Sequence, residues 1–428
     1  MVALYGATIG RASRTAIACA TNQAIAFCLP HSQIADLDYL FWFIQKCREK
    51  LRDLGQGGAQ PNISQATLKN FQLPLPPLAE QPRIATAVNA LFEELDEAEA
   101  ALARAREGVE QFRASLLHAA CTGQLTAAWR RDNPPAETGA DLLRRILAER
   151  RTAWERAERA RLEARGTMPR GDAWRARYVE PVAPDLTAMP DLPEGWVWAS
   201  LEQLSCSSSY GSSVKCDAQA EGLAVLRIPN VQTGTANWSK LKFATEDLAL
   251  DDGALLAPGD LLVVRTNGSH TLVGRAGLVD ALPPVPSYFA SYLIRFRLAA
   301  SAPLQRWVAM AFGSALVRMQ VARFAATSAG QYNISQTKLA SFALPLPTEP
   351  EMQAAMGLLQ DAPMHSDDWT ADDAIATLRQ SILHAAFTGR LVPQNPADEP
   401  AATLLARLRE TAVPARRTRG RPVTKVPA

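Results

Sequence analysis

The chain has 428 residues, enough for two or three domains that each bury a core of their own. Its hydrophobic share of 47% and charged share of 21% are ordinary for a globular protein, and a net charge of +2 excludes a chain that is basic over its whole surface. Local basic faces remain compatible with that sum, because acidic residues elsewhere would cancel them.

No targeting or membrane segment is predicted. The N-terminus has no basic segment leading into a long apolar run, and the most apolar stretch, YLFWFI at 39–44, is far shorter than the roughly 20 residues that a membrane span needs. The six cysteines form no CxxC pair and no zinc-like spacing with histidine. They are therefore expected to be reduced core thiols of a cytoplasmic protein, with no metal site and no cofactor.

The sequence contains an internal repeat. QPNISQATLKNFQLPLP at 60–76 returns as QYNISQTKLASFALPLP at 331–347, with eleven of the seventeen positions identical. SLLHAACTGQL at 115–125 returns as SILHAAFTGRL at 381–391, and IGRA at 9–12 corresponds to VGRA at 273–276. Repeated segments in the same order indicate one structural unit built twice.

In chain order, a front portion rich in Gly, Val and Pro is followed by a predicted long helix with a coiled-coil seam. Apolar residues alternate spacings of four and three, and a seam of this length needs a partner helix. The second copy keeps the same rhythm, so the helices of the two copies are expected to pack as an antiparallel rod; two unrelated surface helices are the alternative. The seam residues are Ile84, Val88, Leu91, Leu95, Ala98, Leu102, Ala105, Val109, Phe112, Leu116 and Ala119, and in the second copy Ala371, Ile375, Leu378, Ile382 and Ala385.

Further along, residues 144–165 are dense in Arg, Glu and Ala and predict a solvated helix with ion pairs. Residues 166–192 are rich in Pro and Gly and predict a linker. Short β-like runs separated by turns then begin near Pro193, and a helical stretch follows at 304–324, which is typical of an α+β domain. The last residues, after Glu410, are basic and are expected to be disordered.

These motifs resemble the specificity subunit of type I restriction–modification systems. The resemblance covers nearly the whole chain. It rests on NISQ…LPLPPLAEQ at 62–81, its partner at 333–347, the LLHAACTGQL and ILHAAFTGRL segments, PEGWVW at 193–198, YGATIGR at 5–11 and ATNQA at 20–24. It implies an α+β protein of two pseudosymmetric repeats. Each repeat is an α/β-mixed target recognition domain followed by a long helix, and the two helices pair as an antiparallel coiled coil.

The same resemblance divides the chain. The predicted parts are 1–78, the C-terminal part of target recognition domain 1; 79–165, helical spacer region 1; 166–192, the linker; 193–348, target recognition domain 2; 349–412, helical spacer region 2; and 413–428, the basic tail. The second copy has residues 193–263 ahead of its match to Val2, whereas the first copy has only Met1 there. The first recognition domain is therefore expected to lack its front half, as in a fragment.

The family implies a cytoplasmic, non-catalytic subunit that reads a bipartite sequence in double-stranded DNA. Its implied partners are two methyltransferase subunits and the restriction (translocase) subunits. No phosphate loop, GxGxxG or HExxH motif occurs, and NPPA at 133–136 lacks the aromatic residue that base-flipping amino-methyltransferases carry. The alternatives are a truncated scaffold that assembles with methyltransferase subunits without reading DNA specifically, and a self-sufficient methyltransferase.

Candidate DNA-binding residues follow from chemistry, because Arg and Lys recognise guanine edges, Asn and Gln recognise adenine, and polar groups contact phosphates. Each arginine has a structural ion pair as its alternative role, and the Asn-Ile-Ser motifs have helix capping as theirs. The candidates in the second copy are Arg227, Asn230, Lys240, Arg265, Asn267, His270, Arg275 and Tyr332; those in the first copy are Arg11, Arg14, Asn22, Gln23 and Gln56.

Overall fold

A computed structural model of the chain describes residues 1–28, 32–55, 61–167, 171–250, 253–328, 330–360 and 371–411. The predicted site residue Gln56 and the basic tail at 413–428 lie outside the described residues.

The described residues combine helices and short strands, which confirms the predicted α+β class. The helices are α1 (Leu37–Lys46), α2 (Arg48–Asp53), α3 (Gln65–Lys69), α4 (Glu80–Cys121), α5 (Ala127–Asp132), α6 (Gly139–Ala164), α7 (Ala302–Ala311), α8 (Ala315–Phe324), α9 (Gln336–Ala340), α10 (Glu349–Gln360), α11 (Ala371–Ala386) and α12 (Ala401–Thr411). The strands are β1 (Val2–Ala3), β2 (Ile25–Ala26), β3 (Val197–Ser200), β4 (Ser205–Tyr210), β5 (Cys216–Asp217), β6 (Ala224–Leu226), β7 (Gly234–Thr235), β8 (Lys242–Ala244), β9 (Asp260–Val264), β10 (Thr266–Asn267), β11 (Ala276–Leu278), β12 (Ser287–Phe289), β13 (Leu293–Leu298), β14 (Ala326–Ser328), β15 (Gln331–Asn333) and β16 (Ala343–Leu346).

The chain forms two compact units. Unit one contains Met1–Arg106 and Asp367–Ala428, and unit two contains Glu107–Ser366. Helix α4 contributes its first part to unit one and its last part to unit two. The six-part domain division made from the sequence stays a prediction. Within the described parts of the chain, no helix has both the length and the apolarity that crossing a membrane requires.

The core of unit one is aromatic and lies where α1 meets α4 and α11. Tyr39 and Phe43 of α1 pack on Phe387, just after α11, with ring centroids 5.1 and 5.4 Å apart. Ile84 and Val88 of α4 complete this cluster and are at most 2% exposed. The four-residue spacing of Tyr39 and Phe43, like that of Ile84 and Val88, places each pair on one helix face, and both faces pack into this cluster.

Helices α4 and α11 of unit one run antiparallel, as the heptad pattern predicts. Arg379 of α11 pairs with Asp96 and, at 2.8 Å, with Glu99, whereas Asp372, about two turns earlier in α11, pairs at 3.0 Å with Arg106, further along α4. The partner residues therefore advance in opposite directions on the two helices. This pairing agrees with the predicted antiparallel rod.

The predicted seam of α11 is wrong at one position. Leu378 is 50% exposed, whereas Ile375 and Leu383 are buried. Arg379 takes the inward place instead, because its guanidinium lies 5.9 Å above the ring of Phe92 while its charge is neutralised by the acidic residues of α4. Arginine can do this because its aliphatic stem packs like an apolar side chain.

Unit two contains the β-rich domain. Its largest sheet has the order β4-β13-β9-β11-β7, antiparallel except for the β11–β7 pair, and a second sheet has the order β12-β6-β8-β5. Strands β10, β15 and β14 form a small sheet, and β16 pairs with β3. Helix α7 packs its buried Trp307 in the large core formed with residues of β3, β9, β11, β13 and β16, and Trp307 donates a 2.7 Å hydrogen bond to the carbonyl of Pro345 in β16.

A buried carboxylate joins the helical part of unit two to its sheets. Glu351, in the first turn of α10, is 2% exposed and accepts hydrogen bonds from three side chains. The donors are the Thr126 hydroxyl at 2.7 Å, the Arg130 guanidinium at 3.0 Å and the Trp196 indole at 2.8 Å. Because burying an unpaired charge is costly, these three donors are what allow the carboxylate to stay in the core.

All six cysteines are free thiols. Cys121 is buried, and burial raises the pKa of its thiol to about 12 although the neighbouring Ser314 side chain acts to lower it. Cys19, Cys28 and Cys206 are exposed, so the prediction that the thiols lie in the core is wrong for these three.

Replacing Glu351 by alanine should destabilise unit two strongly. Arg130 and the Trp196 indole would lose their shared acceptor, a change that costs about 3 kcal/mol when a largely buried ion pair loses one partner. We expect the urea midpoint of Glu351→Ala, followed by circular dichroism, to fall accordingly. The matched control is Glu349→Ala, two residues earlier and 29% exposed, which should change the free energy of unfolding by less than about 1 kcal/mol. Equal losses in both variants would contradict this role for Glu351.

Candidate nucleic-acid interface

The loop at 265–275 contains four of the predicted site residues, and the fifth, Tyr332, lies on the strand β15 that pairs with it. The loop leaves β9, forms β10 and returns to β11, and its start pairs with β15 through Thr266 opposite Asn333 and Asn267 opposite Tyr332. Asn267 also closes a turn, since its side-chain oxygen accepts the backbone N–H of Ser269 at 2.8 Å. Main-chain pairing with β15 and this side-chain turn therefore fix the first part of the loop.

Arg318 of α8 holds the loop through hydrogen bonds to its backbone. Its guanidinium donates to the carbonyls of His270 and Val273 at 2.8 and 2.7 Å. Burial, and then the positive charge of nearby Arg275, lower the pKa of the Arg318 side chain. Two guanidinium groups thus lie close together, an arrangement that an anion at this surface would stabilise.

The guanidinium of Arg265, at the start of the loop, lies over an aromatic ring. Its guanidinium carbon is 5.2 Å from the ring centre of Tyr210, and it donates a 3.3 Å hydrogen bond to the carbonyl of Ser291. The ion pairs of unit two involve other arginines, such as Arg297 with Asp260, and within the described ranges none includes Arg265 or Arg275. The structural ion pair, the alternative role of these two arginines, is therefore not formed by the described residues.

Tyr332 and His270 add an aromatic edge to the same surface. Their rings are 5.9 Å apart and tilted by 56°, and His270 is exposed while Tyr332 is half-buried. Arginine, amide and aromatic side chains therefore converge around one rigid loop. Such a set can donate to base edges and phosphates and can stack on bases.

Three further predicted residues form a separate group around β6 and β8. Arg227 donates a 3.3 Å hydrogen bond to the carbonyl of Lys240, and Lys240 is exposed with a φ of +50°. Asn230 differs from the prediction. It is 1% exposed, and its amide binds the backbone N–H of Arg227 and the carbonyls of Asn237 and Ser239. Because the Asn230 amide bonds to these backbone groups and is buried, it does not face a ligand.

Unit one repeats the backbone of the 265–275 loop. Ala3 N–H to Arg11 carbonyl, at 2.9 Å, matches Val264 to Arg275, also at 2.9 Å. Ile63 N–H to Leu4 carbonyl, at 3.0 Å, matches Ile334 to Arg265 at 2.9 Å, and the glycines at 10 and 274 have φ angles of +75° and +80°. Arg11 is therefore the counterpart of Arg275 and is exposed, whereas an apolar leucine stands in place of Arg265.

The remaining candidates of unit one have local partners. Arg14 forms an ion pair with Asp38 and lies 4.8 Å from the ring centre of Phe41, so the structural alternative applies to it. Asn22 accepts the backbone N–H of Ala24 at 3.0 Å, which makes it a turn residue, and Gln23 is exposed. Gln56 lies outside the described residues.

The Asn-Ile-Ser motifs are helix starts in both units, as the capping alternative states. Ser64 accepts the N–H of Thr67 at the start of α3, and Ser335 accepts the N–H of Lys338 at the start of α9. The isoleucines between them, Ile63 and Ile334, are buried at 3% and 1% exposure. This repeated motif is structural: it anchors each copy's short helix in its own core.

Sequence reasoning missed two residues of this surface. The ring of Tyr210 lies under the Arg265 guanidinium, and its hydroxyl accepts the backbone N–H of Gln336 at 3.2 Å. Arg318 donates hydrogen bonds to carbonyls of the loop. An exposed tyrosine in the serine-rich run SSSYGSS was the available signal for Tyr210. Arg318 lies on a helix far along the chain, so no local pattern connects it to the loop. In the described parts of the chain, no cluster of His, Cys, Asp and Glu could hold a metal ion.

The chain is similar to known proteins in sequence and in fold. A family model described as the type I restriction modification DNA specificity domain matches residues 2–103. The specificity subunit of the type I restriction enzyme EcoKI from Escherichia coli K12 is 26% identical over 358 residues, and that of StySPI from Salmonella potsdam is 24% identical over 361. Each alignment covers 82% of this chain and 65% of the relative, so the chain spans about two thirds of the length of these relatives.

A solved chain from a study of complex assembly and conformational transition in a type I R-M system has the same fold. It superposes with a TM-score of 0.54 at 18% identity, covering 84% of this chain and 73% of that one. The family model and the curated relatives show that the chain is similar to the type I restriction enzyme specificity subunits, and the resemblance predicted from its motifs is confirmed. These relatives are specificity subunits, which agrees with the prediction of a non-catalytic chain.

The closeness of Gly274 to α8 gives a test of the loop's rigidity. A Cβ added at Gly274 would lie 2.3 Å from a methyl carbon of Val321, and the φ of +80° disfavours any L side chain. We expect Gly274→Ala to lose about 1 kcal/mol from the backbone and a further 1–3 kcal/mol or so from the clash. Differential scanning calorimetry measures the loss.

The matched control for that change is Gly234→Ala in β7. Its φ is +87°, but nothing lies within 4 Å of an added Cβ, so it tests the backbone cost alone. A melting temperature for Gly274→Ala equal to that of Gly234→Ala would show that the loop can move away from α8.

Proposed function

We propose that this chain is the DNA sequence-recognition subunit of a type I restriction–modification complex and that the 265–275 loop of unit two reads one half of a bipartite target. The observation that carries the proposal is the grouping of Arg265, Asn267, His270 and Arg275 on one loop, with Tyr332 on the neighbouring strand β15. The arginines have no acidic partner among the described residues, and the amide and rings supply the groups that recognise bases.

The group formed by Arg227 and Lys240 would contact phosphates. Lys240 is exposed at the tip of its turn, and Arg227 and Lys242 both lie close enough to Cys216 to oppose the rise that burial causes in the pKa of that thiol. Positive charge concentrated on one turn favours backbone contact over base reading, because phosphates are recognised without regard to sequence.

Unit one would read the other half-site through Arg11, with Gln23 and Asn22 beside it. The backbone match between the two loops supports an equivalent placement on DNA, while the replacement of Arg265 by Leu4 predicts a different base preference. A chain in which one backbone frame carries different side chains is suited to a target with two unlike halves.

The partners of the chain in this proposal are double-stranded DNA, two methyltransferase subunits and the restriction (translocase) subunits, in the cytoplasm. The antiparallel pairing of α4 with α11 is compatible with a helical spacer between the two half-sites. Methyl transfer and DNA cleavage would belong to the partner subunits.

The recognition-defective scaffold is the second candidate, and reconstitution distinguishes the two. The chain is combined with methyltransferase subunits of a type I system, and binding is measured on a pool of random double-stranded DNA. A recognition subunit enriches one bipartite sequence from the pool. A stable complex that enriches none would identify the chain as a scaffold.

Replacing Arg275 should weaken that specific binding. A side chain that contacts a base contributes about 1–3 kcal/mol, so we expect Arg275→Ala to lower the affinity of the complex for the enriched sequence by roughly 5- to 150-fold. Arg144→Ala is the control, since Arg144 is 75% exposed on α6 and pairs only locally with Asp141. An equal loss on unrelated DNA would assign Arg275 to phosphate contact, and unchanged binding would remove it from the interface.

A further inference from the structure

Tyr210 and Arg265 form an aromatic–cation pair in the candidate interface. The guanidinium carbon of Arg265 lies 5.2 Å from the centre of the Tyr210 ring, and Tyr210 is 45% exposed. Within the described ranges no ion pair includes Arg265. Contact with the face of a ring orients a guanidinium without neutralising it. The positive charge of Arg265 is therefore available to a ligand.

The Tyr210 ring is held at both of its ends. Tyr210 is the last residue of β4 and pairs with Ile294 of β13, so its main chain belongs to the large sheet. Its hydroxyl accepts the backbone N–H of Gln336 at 3.2 Å, and the Gln336 side chain donates a 2.5 Å hydrogen bond to the hydroxyl of Ser208. The position of the ring therefore does not depend on Arg265.

The turn after β12 connects this ring to the second group that contacts the Arg265 side chain. Gly211 passes so close to the turn that an added Cβ would lie 2.4 Å from the carbonyl oxygen of Ala290, and Ser291 donates its N–H to the carbonyl of Ser212 at 2.8 Å. The carbonyl of the same Ser291 accepts a 3.3 Å hydrogen bond from Nη1 of Arg265. The ring and the carbonyl are thus fixed relative to each other.

These contacts leave one end of the Arg265 guanidinium for a ligand. Its Nε is buried and has no hydrogen-bond partner in the described parts of the chain, so a ligand does not reach that side. Among the same residues, the terminal nitrogens have the Ser291 carbonyl as their acceptor and no other. The main chain of Arg265 is bonded to Tyr292 and to Ile334, at 2.9 Å each. Terminal N–H donors are therefore presented in a fixed orientation.

The orientation of an arginine matters more for a base than for a phosphate. Arginine recognises guanine with two N–H donors directed at O6 and N7, which requires the guanidinium to lie near the plane of the base. A phosphate, in contrast, is also bound by a point charge such as a lysine ammonium group. A guanidinium that is already oriented loses less conformational entropy on binding. The fixed orientation of Arg265 therefore favours a base contact.

We propose, as an extension that rests on the DNA recognition proposed above, that Arg265 reads a guanine in the half-site of unit two and that Tyr210 is the positioning residue that orients it. The ring sets the plane of the guanidinium, and the Ser291 carbonyl sets its rotation within that plane. Tyr210 needs no contact with the DNA. Loss of the ring leaves the charge of Arg265 in place but removes its orientation, so the reading of guanine weakens while the attraction to phosphates stays.

The reconstituted complex tests this pair through its discrimination between bases. Affinity is measured for the enriched sequence and for copies in which one G·C pair at a time is replaced. We expect Arg265→Ala to reduce discrimination at one G·C pair by about 5- to 150-fold. Tyr210→Leu should reduce discrimination at the same pair by about 2- to 30-fold and leave the affinity for unrelated DNA unchanged.

Tyr210→Phe is the matched control, because it keeps the ring and removes only the hydroxyl. It should discriminate as the wild type does. The double variant Tyr210→Leu/Arg265→Ala should discriminate no worse than Arg265→Ala alone, since the tyrosine acts through the arginine.

A second measurement needs no DNA. NMR of arginine Nε–Hε groups in the full chain reports the mobility of each guanidinium, and the signal of Arg265 is assigned by its loss in Arg265→Lys. We expect an ordered group in the wild type and in Tyr210→Phe, and a mobile one in Tyr210→Leu. If Tyr210→Leu does not fold, a ring-fluorinated phenylalanine at position 210 replaces it, because fluorine withdraws charge from the ring face and hardly changes the shape.

Three results would overturn the proposal. Unchanged discrimination in Arg265→Ala would remove the guanine contact, and an equal loss on unrelated DNA would assign Arg265 to phosphates. Full discrimination together with an ordered guanidinium in Tyr210→Leu would remove the positioning role. A wild-type complex that enriches no sequence would instead refute the DNA recognition and the guanine contact with it, whereas the NMR measurement would still decide whether Tyr210 orients Arg265.

Discussion

The buried carboxylate of Glu351 is the interaction on which the architecture of unit two depends. It sits in the first turn of α10 and is bound by Thr126, by Arg130 of α5 and by Trp196 before β3. One charge thereby links a helix start, a neighbouring helix and the first strand of the sheet domain. Because a carboxylate in the core is tolerated only with its donors in place, these three elements are constrained to one arrangement.

The two units show how one framework can present different side chains. The hydrogen bonds shared by the loops at 3–11 and 264–275 are all between main-chain groups, so they place no requirement on side-chain identity. Leucine can therefore stand in one unit where arginine stands in the other. The fixed requirements are the capping serines, the buried isoleucines and the left-handed glycines, since each is needed for backbone geometry.

Local and periodic signals in the sequence predicted much of this fold. The repeat, the long helix α4, its antiparallel partner and the α+β class follow from patterns within a few turns or strands. The predictions that differ from the structure are those in which contacts between distant parts of the chain override the local pattern. Arg379 displaces Leu378 from the seam because acidic residues of another helix neutralise it, and Asn230 is buried because its loop supplies three backbone partners. Neither partner set is visible in a local window, and the β3–β16 pairing joins segments far apart in sequence.

Sequence identity between the two LPLP segments extends to their backbone path but not to their burial. In both units an aromatic donor fixes the first proline's carbonyl, so the path is set by the repeat itself. Burial of this segment in unit two comes from residues 193–204, which lie outside the repeated stretch. Since apolar stabilisation grows with the area removed from water, the segment in unit one gains less from the same leucines and prolines. The stability of unit one therefore rests on the aromatic cluster of α1 against α4 and α11, whereas that of unit two rests on its sheets.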